Sequence, residues 1–317
     1  MKAQVDLGRI GMLMIGVSIL LSVMYPFFHH QIVRLFELYF SLDQKITPNG
    51  ERELISTYYF GMVLLLGIGF GCRKAHDVSW RTKMRQVLLG EPLCRFTRVQ
   101  PSPHRILIVS PLVGLLLIVS LRLAYRFPSV YLLLYSKDQG VLDLFVPITI
   151  LISAVLLGIA AWKLWKEPRF AKPRAFLSVV YLFMMGLLFV YAGEETSWGQ
   201  DFFGWQTPSM FSGNVEGQTN LHNYFNAYFN YGYMALALIL VIVLVSVWLE
   251  FNQRWLPLNR LFLPHPSLIG LSLLIAFVAI VWYPEQELLE EMMAVFVLVY
   301  SFRIFTCLRS KNLSIET

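Results

Sequence analysis

Glu194 and Glu195 stand side by side in the string Gly193-Glu194-Glu195-Thr196-Ser197-Trp198-Gly199-Gln200-Asp201, directly after an apolar run from Phe176 to Tyr191. A carboxylate at the end of a membrane helix must be hydrated, paired or neutralised. Between Arg174 and Arg254 the chain has no Lys or Arg to pair with either one. Such carboxylates are suited to general acid/base work or to holding a cation. Neighbours on a helix point about 100° apart, so at most one of the two faces any given centre. Asn220-Leu221-His222-Asn223 follows, with Asn220 a good helix N-cap and His222 an imidazole fit for proton transfer or metal ligation. Asn223, Asn226 and Asn230 then recur at i, i+3 and i+7, a polar stripe on a helix entering the membrane.

A second acidic group, Glu285, Glu287, Glu290 and Glu291, precedes the last apolar run. If a helix starts near Glu287, then Glu287, Glu290 and Glu291 share one face. Like charges so close are eased by protonation or by a shared cation. For Glu285 and Glu287 the plainer account is a solvated acidic rim favoured by the helix dipole. Arg122 and Arg126, spaced i and i+4, can clamp a phosphate or carboxylate, or reach out to headgroups. The expected site has Glu194, Glu195, His222, Glu290 and Glu291 as its chemical groups. Arg122, Arg126, Ser197, Trp198, Gln200, Asn220 and Asn223 would hold the substrate. The cofactor is unknown; a divalent metal is the candidate, with Glu195, His222 and Glu291 as its ligands. Trp198, Phe202, Phe203 and Trp205 are also what a membrane boundary favours.

These groups need helices to position them, and the composition supplies membrane helices. Of the 317 residues 56% are hydrophobic and 15% charged, with a mean hydropathy of +0.58, far from the values of soluble domains. The apolar residues arrive in blocks, which predicts an all-α, polytopic transmembrane bundle of about eight spans. These are Ile10–Phe28, Leu54–Gly71, Ile106–Tyr125, Val141–Trp162, Phe176–Tyr191, Tyr231–Trp248, Ser267–Tyr283 and Met292–Cys307. A span takes about twenty apolar residues, so the fifth, seventh and eighth borrow turns from their flanks; seven or nine spans remain open.

Lys and Arg set the orientation. With the N-terminus inside, 20 of the 26 basic residues fall on inner segments, which predicts an N-in/C-in protein of a bacterial inner membrane. The net charge of +6 and pI near 9.2 then report topology and not a nucleic-acid partner, since the basic residues are spread over separate loops. Residues 1–317 are expected to form a single integral membrane domain. Within it, residues 72–105 form a cytoplasmic interfacial loop with an amphipathic piece around Met84–Leu89. Residues 193–230 form the periplasmic loop that carries the motif. Residues from His29 are expected to lie in the outer interface before a turn at Pro48-Asn49-Gly50. Arg303 is expected to snorkel. The first apolar run lacks a small-residue cleavage site and is taken as a mature helix. Cys72, Cys94 and Cys307 imply no disulfide framework.

No Walker motif, Gly-x-Ser-x-Gly elbow, His-Glu-x-x-His or haem Cys-x-x-Cys-His is present in the sequence. The string from Gly193 to Pro208, followed by Asn214-x-Glu216-Gly217-Gln218-x-Asn220-Leu221-His222-Asn223, resembles an uncharacterised family of bacterial polytopic membrane proteins. That resemblance implies a multi-span fold and supplies no reaction. A looser similarity to ceramidase-like membrane hydrolases lacks their multi-histidine set. The leading expectation is a membrane-embedded hydrolase or transferase with a periplasm-facing site, acting on a lipid or lipid-linked substrate. The alternatives are a proton- or cation-coupled transporter using the same carboxylates, and an accessory subunit docking membrane-protein partners on its acidic face.

Overall fold

Long runs of Leu, Ile, Val and Phe without a breaker form helices, and the regular elements among the described residues are all helical. The computed structural model describes residues 7–40, 48–74, 77–89, 102–135, 141–166, 174–211, 213, 217–221, 230–251, 262–281 and 286–309. The helices are α1 (Leu7–Phe40), α2 (Pro48–Lys74), α3 (Val78–Leu89), α4 (Pro103–Arg126), α5 (Pro128–Tyr135) and α6 (Val141–Lys166). They continue with α7 (Arg174–Glu195), α8 (Gln200–Phe203), α9 (Asn230–Phe251), α10 (Ile269–Val281) and α11 (Gln286–Arg309).

Among the described residues, five stretches are long and apolar enough to cross a bilayer: Gly8–Arg34, Pro103–Leu121, Leu144–Lys166, Ala175–Glu195 and Glu287–Leu308. The chain is thus a polytopic helical membrane protein. Three of the eight predicted spans are not among these five. Leu54–Gly71 lies on the 27-residue α2 and Tyr231–Trp248 on the 22-residue α9, while Ser267–Tyr283 falls on the shorter apolar stretch Pro266–Ala279. Two boundaries also differ from the sequence expectation. Residues 29–40, assigned to an interfacial segment, continue α1 because nothing after Pro26 breaks the helix. Pro48 opens α2 and does not make a turn, since a proline at the first helical position loses no hydrogen bond. The last helix starts at Gln286, taking in the turns before Met292 that the sequence expected it to borrow, with Glu287 in the first turn, where the helix dipole favours it.

The chain divides into two compact units: residues 1–86 with 277–284, and residues 87–276 with 285–317. In the first, α1 and α2 pair in antiparallel fashion through close backbone approach. A Cβ on Gly11 would stand 2.5 Å from the Gly69 carbonyl oxygen and 2.6 Å from the Arg73 nitrogen. Farther along, Ser18 Oγ donates to the Met62 carbonyl at 2.6 Å and Tyr58 Oη to that of Leu21 at 2.8 Å. Tyr25 is buried among Tyr58, Tyr59 and His29, and His29 Nδ1 lies 2.9 Å from its hydroxyl. On α3, Trp80 and Met84 are partly covered while Arg81, Lys83 and Arg85 are exposed.

In the second unit α6 packs along both α7 and α11, and α4 touches α11. The α11 span is 67% buried against 22% for that of α7, which makes α11 the central helix and α7 a peripheral one. Gly114 of α4 permits close packing, since a Cβ there would meet Leu274 Cδ2 at 2.8 Å and Met292 Cε at 3.1 Å. Four buried residues knit three helices together: Val146 and Ile150 of α6, Ala192 of α7 and Ala294 of α11. The two alanines let α7 and α11 approach the same stretch of α6 close to their carboxylates. Over-packing a tight contact costs about 1–3 kcal/mol. Gly11→Leu is therefore expected to lower the thermal midpoint of the detergent-purified protein, while Gly67→Ala, which meets nothing within 4 Å, should leave it unchanged.

Candidate functional site

The site is built where α7 stops. Thr196 ends the helix by returning its amide and its hydroxyl to the Ala192 carbonyl, at 3.2 and 3.0 Å. The backbone then enters the left-handed region for three residues, with φ of 46° at Ser197, 57° at Trp198 and 86° at Gly199. Only the glycine adopts this freely; the other two must be held there. Trp198 Nε1 donates to Glu194 Oε1 at 2.8 Å, and Asn220 Nδ2 donates to Ser197 Oγ at 3.2 Å. Gly193 makes room for the fold-back, because a Cβ there would lie 2.8 Å from the Trp198 ring.

The rest of the loop is stitched by side chains of the same motif. Gln200 Oε1 accepts from the Thr219 amide at 2.6 Å, and its Nε2 donates to Thr207 Oγ1 at 2.8 Å. Thr207 passes its own hydroxyl hydrogen to the Gly217 carbonyl. Asn220 is buried and also donates to Gln218 Oε1 at 3.1 Å. Finally the Leu221 amide donates to Glu194 Oε2 at 2.5 Å. Glu194 is buried, and its two oxygens join residues 198 and 221 to the end of α7.

Glu195 points elsewhere. It hydrogen-bonds the Tyr191 hydroxyl one turn back on α7 and stands in the electrostatic field of Glu290 on α11. Glu290 in turn feels Glu287 and Glu291 on its own helix. Glu195 and Glu290 are half-buried, Glu291 is buried and Glu287 is exposed. The 100° step between adjacent helical residues has thus sent one carboxylate into the loop and the other toward the central helix.

Of the residues expected to do chemistry, Glu195 and Glu290 feel one another across two helices, Glu291 is the buried chain neighbour of Glu290, and Glu194 serves the loop. Ser197, Trp198, Gln200 and Asn220 have their polar atoms engaged within the motif. His222 and Asn223 lie outside the described residues, as do the side chains of Arg122 and Arg126 on the last turns of α4. Among the described residues no three His, Cys, Asp or Glu side chains form a metal-holding group. Arg303 does not snorkel. It is buried beside Tyr300, whose hydroxyl donates to the Phe262 carbonyl at 2.7 Å, because α11 is enclosed by its neighbours. Sequence reasoning missed Tyr191, which its i, i+4 spacing to Glu195 could have flagged. It also missed Thr207 and Gln218, whose roles depend on a fold-back no periodicity reveals.

No protein-family model, curated protein or solved structure matches this chain.

The two glutamates should separate in a stability measurement. Hydrogen bonds to a charged acceptor are worth about 1.5–3 kcal/mol each, so Glu194→Gln, which removes the charge from a carboxylate holding two donors, is expected to lower the thermal midpoint by several degrees. Glu195→Gln removes a charge facing Glu290 and should leave the midpoint unchanged or raise it. Thermal unfolding in detergent, with hydrogen exchange over residues 197–221, reads both.

Proposed function

We propose that this protein is a membrane-embedded enzyme acting on a lipid or lipid-linked substrate at a carboxylate/histidine site. The observation that carries this reading is that Glu195 of α7, hydrogen-bonded to the Tyr191 hydroxyl, lies within the electrostatic reach of Glu290 of α11. Facing carboxylates hold a proton or a cation between them, and a carboxylate that releases and recovers a proton is a general acid/base. In this scheme Glu195 takes the proton from an attacking water or hydroxyl and returns it to the leaving oxygen, as a hydrolase or transferase requires. Tyr191 orients the Glu195 carboxylate, and Glu290 with Glu291 faces it. Glu194 acts at one remove: by accepting from the Leu221 amide it holds the residue before His222 at the end of α7. Arg122 and Arg126 would bind an anionic headgroup and Asn223 would orient the substrate. A divalent cation at the carboxylates would sharpen the same chemistry. A lipid substrate fits because α7 exposes an apolar face including Phe183, Leu187 and Val190, a surface for hydrocarbon.

The same proposal places eight spans N-in/C-in in a bacterial inner membrane with the site at the periplasmic face, as the division of Lys and Arg supports, and makes the chain a member of the family its motif resembles. A second reading, a proton- or cation-coupled transporter, is favoured by the buried polar residues farther along α11, Ser301 and Arg303; Thr306 is buried too, but its hydroxyl is spent on the Phe302 and Arg303 carbonyls of its own helix. On α6, Thr149 and Ser153 are buried too, but the Ser153 hydroxyl is spent on the Thr149 carbonyl of its own helix at 2.8 Å.

General acid/base catalysis contributes about 10²–10⁴-fold. Glu195→Gln, Glu290→Gln and His222→Ala are therefore each expected to abolish complementation of a deletion strain while membrane insertion stays normal. If all three complement fully, the carboxylates are a docking face and the accessory-subunit reading replaces this one. Reporter fusions at Leu88 and Gly213 should give cytoplasmic and periplasmic signals respectively; a periplasmic signal at Leu88 reverses the orientation.

A further inference from the structure

The loop that follows α7 engages Gln200 and Thr207 in its own hydrogen bonds and exposes its large apolar side chains together with Gln206 and Ser209. Phe202, Phe203 and Met210 are 63%, 77% and 79% exposed. Exposed apolar surface of this kind marks an interaction site. The rings are ordered with respect to one another. Phe203 and Trp205 stack at 5.6 Å with 12° between their planes, and Gly199 allows this, because a Cβ there would stand 3.0 Å from the Phe203 ring. Trp198 makes an edge contact with Phe189 of α7 at 6.4 Å. Phe189 itself belongs to the exposed apolar face of that span, with Phe183 and Val190. One ring of the loop, Trp198, therefore touches a surface that already faces hydrocarbon, and Phe202, Phe203 and Trp205 follow it closely in the chain.

We propose that the loop from Trp198 to Met210 is a membrane-surface anchor whose aromatic face is immersed in the headgroup and upper acyl region at the end of α7. Aromatic side chains gather at that depth, where one end of the ring system is apolar and the other wet. The charge pattern decides how the contact is made. The chain has no Lys or Arg between Arg174 and Arg254, and the loop region carries Glu194, Glu195, Asp201 and Glu216. Attraction to anionic headgroups is thus excluded as the driving force, and the contact is apolar and insensitive to salt. A cationic protein partner docked on the same region would be held electrostatically and would weaken as salt rises. Anchoring rests on the membrane placement of α7 alone. Its consequence, that a lipid substrate enters sideways from the leaflet, rests on the enzyme reading.

The test uses the full chain in nanodiscs of zwitterionic lipid, with Cys72→Ser and Cys94→Ser and the buried Cys307 retained. Nitroxide labels are placed at Phe203→Cys and Phe202→Cys, with Gly213→Cys as the aqueous reference. The expected result is high collision with oxygen and at least several-fold less collision with a water-soluble nickel chelate than at Gly213, unchanged between low and high salt. Nickel collision equal to that at Gly213 would overturn the proposal in favour of a water-facing loop. Labels shielded from both reagents, or dipolar broadening between copies, would overturn it in favour of a protein partner or a second copy. Glu195→Gln should leave these accessibilities unchanged, so loss of the enzyme reading and loss of the anchor are told apart.

Discussion

A helix advances about 100° per residue, and at the end of α7 that angle divides two adjacent carboxylates between two tasks. Glu194 turns into the loop and accepts from the Trp198 indole and the Leu221 amide. Glu195 turns toward Tyr191 and the acidic start of α11. Slipping the helix end by one residue would put one glutamate in the other's place and leave the second environment without a carboxylate. The details that fix the end therefore matter more than their size: the Thr196 hydroxyl returned to Ala192, the Ala192 contact with α6 and α11, and the absence of a Cβ at Gly193.

Magnitudes favour the fold-back. Holding Ser197 and Trp198 in the left-handed region costs roughly 1–2 kcal/mol per residue. Hydrogen bonds to an ionised acceptor return about 1.5–3 kcal/mol each, and Glu194 accepts two from the loop. Neutral bonds from Asn220 and Gln200 add to this. The strain is thus sustained by the buried charge, which accounts for a glutamate where a membrane helix would end more cheaply on an apolar or small polar residue. Strained segments of this kind cluster where geometry serves function.

Much of this was legible in the sequence, and the misses have physical reasons. Apolar blocks announce membrane helices, and paired carboxylates with no compensating Lys or Arg announce a site. The angle between Glu194 and Glu195 was readable, but which one would face α11 was not, because that depends on how α7 rotates against α6. Ala192 and Ala294 carry no signal in a sequence where alanine is ordinary, although they set the spacing of the helices. Tyr191 looks like one more apolar residue of a span until Glu195 is placed beside it. The apolar residues Ile32, Val33, Leu35, Phe36, Leu38 and Phe40 stand at helical spacing and were legible as such, but nothing in the sequence says that they continue the span before them and do not turn into the interface. The burial of Arg303 could not be foreseen without knowing that α11 is the central helix.

The account stands on the proximity of the Glu195 and Glu290 side chains, and a cross-linking measurement addresses it most directly. Glu195→Cys and Glu290→Cys are combined in the Cys72→Ser, Cys94→Ser chain and treated in membranes with a short bifunctional thiol reagent. Gly158→Cys with Met185→Cys serves as the positive control, because a Cβ at Gly158 would lie 2.7 Å from Met185 Sδ. The account predicts an intramolecular cross-link between residues 195 and 290, identified by mass spectrometry, forming as readily as the control. A control that cross-links while the glutamate pair does not would contradict it.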